Sequence, residues 1–269
     1  MKAASGRDAV PVWVDGRLLP AARAALELGD SAYAEGRGCF TSVRIAGGAP
    51  RFAARHLRRL ARDAQALGLP APDAGLLARG LAELAREAFG AGDGIVRIQL
   101  SQRADGGLRA TARARPLGDD APVWRAATAP QPHPGPGGGH KLTARGPWAR
   151  AETAARAAGA HEALLFDAAG RLVEGARTNL VVLDAGGILC TPPPERGAVA
   201  GVALAIVRER EPALRHRDLS SRGLLAARGV VALNAVRGAR ALGHLDGQSL
   251  GAEGPALAGR LDALLAGEA

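Results

Sequence analysis

Ala158-Gly159-Ala160-His161-Glu162-Ala163-Leu164-Leu165-Phe166-Asp167, followed by Gly170-Arg171-Leu172-Val173-Glu174-Gly175-Ala176-Arg177-Thr178-Asn179-Leu180, is the stretch around which the chain organises. Glu162–Phe166 is a short apolar run, Asp167–Gly170 carries turn residues, and Arg171–Glu174 and Thr178–Leu183 are two further runs. Short runs punctuated by turn residues predict a β-rich block, which Ile188–Thr191 extends and a final strand at Gly229–Asn234 closes. Helical segments are predicted around it at Pro147–Ala158, Val199–Arg210 and Pro255–Ala266.

Upstream, Val10-Pro11-Val12-Trp13-Val14, then Asp15-Gly16, then Arg17-Leu18-Leu19 reads as strand, tight turn, strand, with Asp-Gly as the hairpin signal. Leu57, Leu60, Ala64 and Leu67 fall at helical spacing within Ala53–Leu67, and Gly68 with Pro70 stops that helix. A second helix starts from Asp73 as N-cap and runs to about Phe89. Gly94–Leu100 and Arg109–Arg113 alternate as strands do, and Gly106-Gly107 between them predicts a hairpin. The breaker-rich stretch Pro116-Leu117-Gly118-Asp119-Asp120-Ala121-Pro122 divides the chain into residues 1–116 and 123–269, with 117–122 as linker.

A chain of 269 residues has room for one large domain or two modest ones. With 47% hydrophobic and 23% charged residues it has the balance of a globular protein, which excludes wholesale disorder. Neither a bilayer-spanning run of about 20 apolar residues nor a secretory leader within Met1–Arg7 and beyond is present, so a cytoplasmic protein is expected. Cys39 and Cys190 have neither metal-ligand nor disulfide-scaffold spacing and read as buried thiols. The net charge of +9 raises nucleic-acid binding as a partner class. Against it, the arginines are scattered, with Arg51, Arg55, Arg58, Arg59 and Arg62 the densest group, and base-stacking aromatics make up only 3%.

The identity of the basic residues says more than their sum. Of 35, only Lys2 and Lys141 are lysine, and the other 33 are arginine. Guanidinium stays protonated, whereas a buried lysine amine can lose its proton and attack an aldehyde. Taken alone, that leaves Lys141 open between a chemical role and a surface position. Glu174 follows Lys141 by 33 positions, and a carboxylate of this kind suits a pyridine nitrogen that must stay protonated. Gly197-Ala198-Val199-Ala200-Gly201-Val202-Ala203 leads into a helix whose first amides could bind phosphate, preferably beside an arginine. Pro132–Gly139, directly before His140-Lys141, is either the rim of a site or a plain surface loop.

Together, Lys141, the Ala158–Leu180 stretch, Thr191-Pro192-Pro193 and Gly201-Val202 resemble the signature of fold-type IV pyridoxal-phosphate enzymes, the class IV aminotransferase family. The resemblance reaches upstream to Asp30 and His56-Leu57-Arg58-Arg59-Leu60, nearly the whole chain. It implies two α/β domains of the D-amino acid aminotransferase type, with pyridoxal 5′-phosphate in the cleft between them and a homodimer as the assembly. It further implies Lys141 as Schiff-base lysine and proton carrier, Glu174 as partner of the pyridine nitrogen, and Arg59 with the amides of Val202 and Ala203 as phosphate ligands. Asn179 and Asn234 complete the implied cofactor set.

Gly38-Cys39-Phe40-Thr41-Ser42-Val43-Arg44, Ser101–Gly107 and Leu233–Arg240 are similar to the aminodeoxychorismate lyase branch. That branch implies conversion of 4-amino-4-deoxychorismate to 4-aminobenzoate and pyruvate, a step in folate synthesis. Arg103, Arg109 and Arg37 are the candidate ligands for the carboxylates of such a small-molecule substrate. Thr41 is a candidate to position a proton or a carboxylate, a packing role being the alternative; for His56 and His140 packing or capping is expected. Three positions depart from the family pattern: Glu35-Gly36-Arg37-Gly38 puts a base where an acid is usual, Val236 replaces a phosphate-binding threonine, and Leu108 replaces an arginine. An aminotransferase acting on D- or branched-chain amino acids remains the alternative within the family, and a basic nucleic-acid-binding domain the alternative outside it.

Overall fold

Alternation along residues 94–102 sets up the first layer: Val96, Ile98 and Leu100 are buried in one core, while Arg97 and Gln99 project from the other side of the same strand. The computed structural model describes residues 11–135, 137 and 139–267. Val10 of the expected first strand, the N-terminal Met1–Arg7, and Pro136 and Gly138 of the glycine-rich loop lie outside the described residues. The chain divides into two compact units, one running to Asp119 and including Lys141–Ala144, the other comprising Asp120–His140 and the chain from Arg145 onward.

The first unit contains β1 (Pro11–Val14), β2 (Arg17–Pro20), α1 (Ser31–Ala34), β3 (Gly38–Ala46), β4 (Ala49–Pro50), α2 (Ala53–Ala66), α3 (Ala74–Phe89), β5 (Gly94–Gln102) and β6 (Leu108–Arg115). Its six strands pair antiparallel in the order β2-β1-β6-β5-β3-β4, with both expected hairpins present. Cys39, Val43 and Ile45 of β3 share a core with Leu57, Leu60 and Ala64 of α2 and Leu77, Leu81 and Leu84 of α3, so the helices cover one face of the sheet. Asp73 caps α3 as expected, its Oδ1 accepting from the Leu76 N–H at 2.9 Å. Gly80 lets α3 rest directly on a buried indole: a Cβ there would fall 2.3 Å from Trp13 Cε2.

The second unit contains β7 (Val123–Thr128), α4 (Gly146–Ala157), β8 (Glu162–Phe166), β9 (Leu172–Gly175), β10 (Asn179–Leu183), β11 (Leu189–Thr191), α5 (Val202–Arg210), β12 (Arg215–His216) and α6 (Ser221–Leu225). β13 (Gly229–Asn234), β14 (Gly238–Leu245), β15 (Gln248–Ser249) and α7 (Gly254–Ala266) complete it. Its sheet runs β12-β11-β10-β13-β14-β7-β8-β9, with β15 beside β14; β7 lies parallel to both β14 and β8. Leu164 faces the main core with Leu172, Leu180 and Val230, while Ala163 and Leu165 turn the other way to meet Ala151 and Ala155 of α4.

One expectation is corrected. Gly229–Asn234 is not the final strand, because β14 and β15 follow it. Gly-Ala-Arg-Ala-Leu-Gly-His-Leu of β14 has no β-branched residue, and its strand state comes from pairing with β13 and β7 on its two sides. Both cysteines are buried and free, and burial pushes the Cys39 thiol up to about 12 and the Cys190 thiol up to about 11, which makes them inert packing groups.

Candidate active site

Lys141 sits in the first unit because Lys141–Ala144 pairs with the start of β3. Phe40 N–H donates to the Lys141 carbonyl at 2.9 Å, Leu142 bridges Cys39, and Thr143 N–H donates to the Gly38 carbonyl at 2.8 Å. Gly38 allows this approach: a Cβ on it would lie 2.8 Å from the Leu100 carbonyl and 3.0 Å from Thr143 Oγ1. On the sheet face away from the helices, Lys141 Nζ lies 5.0 Å from the centroid of the Phe40 ring, and the Arg97 guanidinium carbon 3.6 Å from the same ring.

α2 supplies a polar stripe at helical spacing, His56, Arg59 and Asp63, within an otherwise apolar face. Thr41 Oγ1 accepts from Arg59 Nη2 at 2.6 Å and lies 2.6 Å from His56 Nδ1. Burial, with the charges of Arg59 and Lys141, holds His56 well below its ordinary value, so the ring is neutral. Thr41 can give its own proton to Nδ1, which leaves the imidazole proton on Nε2. Among the described residues, His56 Nε2 and Arg59 Nε are buried without a hydrogen-bond partner. Burial also lowers the Arg59 guanidinium to about 10, with Asp63 opposing. Two buried donors without acceptors, one of them cationic, suit an anion such as phosphate.

In the second unit Glu174 ends up enclosed, 2% exposed, on β9. Its Oε1 accepts from Trp148 Nε1 at 2.8 Å, and its Oε2 accepts from the Val199 N–H at 2.8 Å. His133 Nε2 lies 3.4 Å from Oε1, while its Nδ1 accepts from the Gly135 N–H at 3.2 Å, so the ring proton is on the Nε2 side facing the carboxylate. Trp148 stacks edge-on against His133, their centroids 5.4 Å apart. Oε2 keeps a lone pair beyond its bond to Val199, and a pyridinium N–H suits that capacity.

The other expected cofactor residues shape backbone in the same unit. Asn179 Nδ2 donates to the Val199 carbonyl at 2.9 Å, and a Cβ on Gly201 would fall 2.0 Å from Asn179 Oδ1. Gly201 is the N-cap of α5 and gives no side-chain cap, so the first amides of that helix, Val202 and Ala203, have no acceptor from that side chain. Asn234 Oδ1 accepts from the Val236 and Arg237 N–H groups at 2.9 and 2.8 Å, closing the turn between β13 and β14.

The three arginines read as substrate ligands all engage neighbouring carboxylates within the first unit. Arg37 Nε donates to Glu35 at 2.9 Å, Arg103 pairs with Asp105, and Arg109 reaches Glu27 at 2.5 Å and Asp15 at 3.4 Å. Asp63, Trp148 and His133 were not singled out from the sequence. The signal for Asp63 was its place one turn beyond Arg59 on an otherwise apolar helix face; Trp148 had only its rarity, and His133 only its place in the Pro132–Gly139 loop.

A glycine-capped helix start, a buried carboxylate and an isolated lysine on two mixed α/β units are set out in the order that one family shares. The profile described as amino-transferase class IV matches residues 38–243, and the chain belongs to that family. Its cofactor is therefore pyridoxal 5′-phosphate, and the buried donors and helix amides described above fit it. A hypothetical aminotransferase from Mycobacterium tuberculosis, in its PLP-bound form, superposes with a TM-score of 0.84 at 22% identity, covering 96% of this chain and 100% of that one. The branched-chain aminotransferase of the archaeon Thermoproteus uzoniensis, with norvaline, gives 0.82 at 24% identity over 96% and 95% of the two chains. That of Escherichia coli gives 0.82 at 20% identity over 94% and 92%. At these identities the likeness establishes the mixed α/β fold. No curated protein sequence matches the chain. Among the described residues, no helix is long and apolar enough to cross a membrane, and no cluster of metal-ligating side chains forms.

Proposed function

We propose that this chain is a cytoplasmic, homodimeric lyase that converts 4-amino-4-deoxychorismate to 4-aminobenzoate and pyruvate. The observation that carries this reading is the Phe40 ring, with the Arg97 guanidinium carbon 3.6 Å and the Lys141 amine 5.0 Å from its centroid. A flat aromatic surface with a cation on it suits a planar, unsaturated ring bearing carboxylates, and the lysine amine beside it suits proton transfer at the amine-bearing carbon. Pyridoxal phosphate, when bound, would supply an aldehyde reactive toward amines and a ring able to take up electron density. In the first unit Arg59 would offer its phosphate a cation; in the second the α5 amides would offer donors, and Glu174, fixed by Trp148, His133 and the Val199 N–H, would keep the pyridine nitrogen protonated. Lys141 moves the proton, and loss of pyruvate leaves an aromatic product, so no keto-acid acceptor is needed.

A second reading, transamination of D- or branched-chain amino acids, draws support from Arg37, Arg103 and Arg109, whose pairing with Glu35, Asp105 and Glu27 leaves fewer cations for a dicarboxylate. Incubating the loaded protein with 4-amino-4-deoxychorismate and following both products separates the two. Equal amounts of 4-aminobenzoate and pyruvate without added keto acid support the lyase. No product there, with D-alanine or leucine converting the bound cofactor to its amine form, refutes it and supports transamination.

A further inference from the structure

The chain returns to the first unit for only four residues, Lys141–Ala144, and something must set where the reactive lysine begins. Leu142 and Thr143 are held as a strand is held, through the Cys39 bridge and the Gly38 carbonyl. Thr143 Oγ1 adds bonds to the carbonyls of Gly36 at 2.9 Å and Gly38 at 3.1 Å. Lys141 differs. Its carbonyl still accepts from Phe40 N–H, but its own N–H donates at 3.0 Å to Oδ2 of Asp63, a side chain on α2. In a continued antiparallel pair that N–H would point to a strand carbonyl, so the carboxylate marks the point where the segment leaves strand geometry.

Asp63 is itself fully buried, on a helix whose neighbouring buried positions are apolar. Burying a carboxylate is costly unless its oxygens are occupied. Here Oδ1 is taken by Arg62, whose Nη2 approaches to 2.7 Å and whose Nε approaches to 3.1 Å, and Oδ2 by the Lys141 backbone. Arg62 is 45% exposed in its side chain and brings the counter-charge from the solvent side, leaving Oδ2 aimed inward. The same helix carries Arg59 one turn earlier, so α2 rigidly links the guanidinium read as a phosphate ligand to the backbone of Lys141.

We propose that Asp63 is a positioning residue for Lys141: its carboxylate anchors the lysine's backbone N–H to α2 and so sets the point from which the amine reaches the cofactor. This rests on reading Lys141 as the lysine that holds the cofactor.

The test uses the full-length chain stripped of cofactor, mixed with pyridoxal 5′-phosphate and quenched with borohydride at timed intervals. Peptide mass spectrometry then counts the cofactor fixed on Lys141. Asp63→Leu fills the space but accepts no hydrogen bond, and it should accumulate the adduct at least about tenfold more slowly than the parent, as misplacement by a fraction of an ångström implies. Asp63→Asn keeps an acceptor oxygen of the same shape and should recover the parent rate to within about threefold. If Asp63→Leu does not fold, Asp63→Ala takes its place with the same expectation. A Leu or Ala variant that matches the parent, or an Asn variant as slow as Leu, overturns the proposal; a role confined to stability would lower unfolding midpoints without separating the Asn rate from the Leu rate. The two readings fail differently. Adduct that persists in Lys141→Ala refutes the role of Lys141 itself, whereas adduct confined to Lys141 with Asp63→Leu unimpaired refutes only the role of Asp63.

Discussion

Replacing Glu162 with glutamine should make the protein more stable in alkali and leave it nearly unchanged in acid. Glu162 opens β8 and is 1% exposed, so its carboxyl is closed off from water. Burial pushes its carboxyl from an ordinary value of 4.5 up to about 7, against the opposing charge of Arg177 and the Ala163 N–H. Gly175 makes room for the cluster: a Cβ there would meet Thr178 Oγ1 at 2.2 Å and the Glu162 carboxyl carbon at 3.1 Å. The folded chain keeps this proton up to about pH 7, whereas the unfolded chain gives it up near 4.5. Stability is therefore fully present below the lower value and falls as pH rises, reaching a loss of about 3 kcal/mol once the pH exceeds the upper one. Glutamine carries no proton to lose and keeps the oxygen that accepts from Ala163. Urea unfolding at about pH 5 and about pH 8.5 should show an advantage for Glu162→Gln that grows from about 1 kcal/mol to about 3 kcal/mol. An advantage that stays constant across this range would refute burial of an ionisable group as its cause.

Two further outcomes follow from packing and hydrogen bonding. Trp148→Phe removes a donor from the buried Glu174 carboxylate and should cost about 1.5–3 kcal/mol in urea unfolding at neutral pH. In a Glu174→Gln background that cost should fall by at least about half, and equal costs in the two backgrounds would show that the bond is not its source. Gly80→Ala should lower the thermal midpoint, because the new methyl meets the Trp13 indole at a cost of about 1–3 kcal/mol. Gly259→Ala in α7, where a Cβ meets nothing within 4 Å, should raise the midpoint through about 0.5–1 kcal/mol of lost unfolded-chain freedom, and identical effects at the two glycines would refute the steric account.

Much of this molecule is legible in one dimension because its signals are local. Helical spacing with an Asp73 cap yields α3, the Asp15-Gly16 and Gly106-Gly107 turns yield their hairpins, and a chain that uses arginine almost everywhere makes Lys141 conspicuous. The order of Lys141, Glu174, Thr178-Asn179 and Gly201-Val202 carries the resemblance to the family that the match over residues 38–243 shows. Strand β14 escaped because alanine and glycine carry little local preference, and its state depends on neighbours far away in sequence.

What only the tertiary structure decided is the company each reactive group keeps. Asp63 stands 78 positions from Lys141 and holds its backbone; Trp148 and His133 stand 26 and 41 positions from Glu174 and flank its carboxylate. Arg37, Arg103 and Arg109 carry the right charge for a dicarboxylate, yet their pairing with Glu35, Asp105 and Glu27 is set by loop geometry. Local pattern specifies which elements form, because propensity and turn chemistry act over a few residues. The partners of a buried charge are settled only when the elements pack, because desolvation and hydrogen-bond geometry act between segments that are distant in sequence.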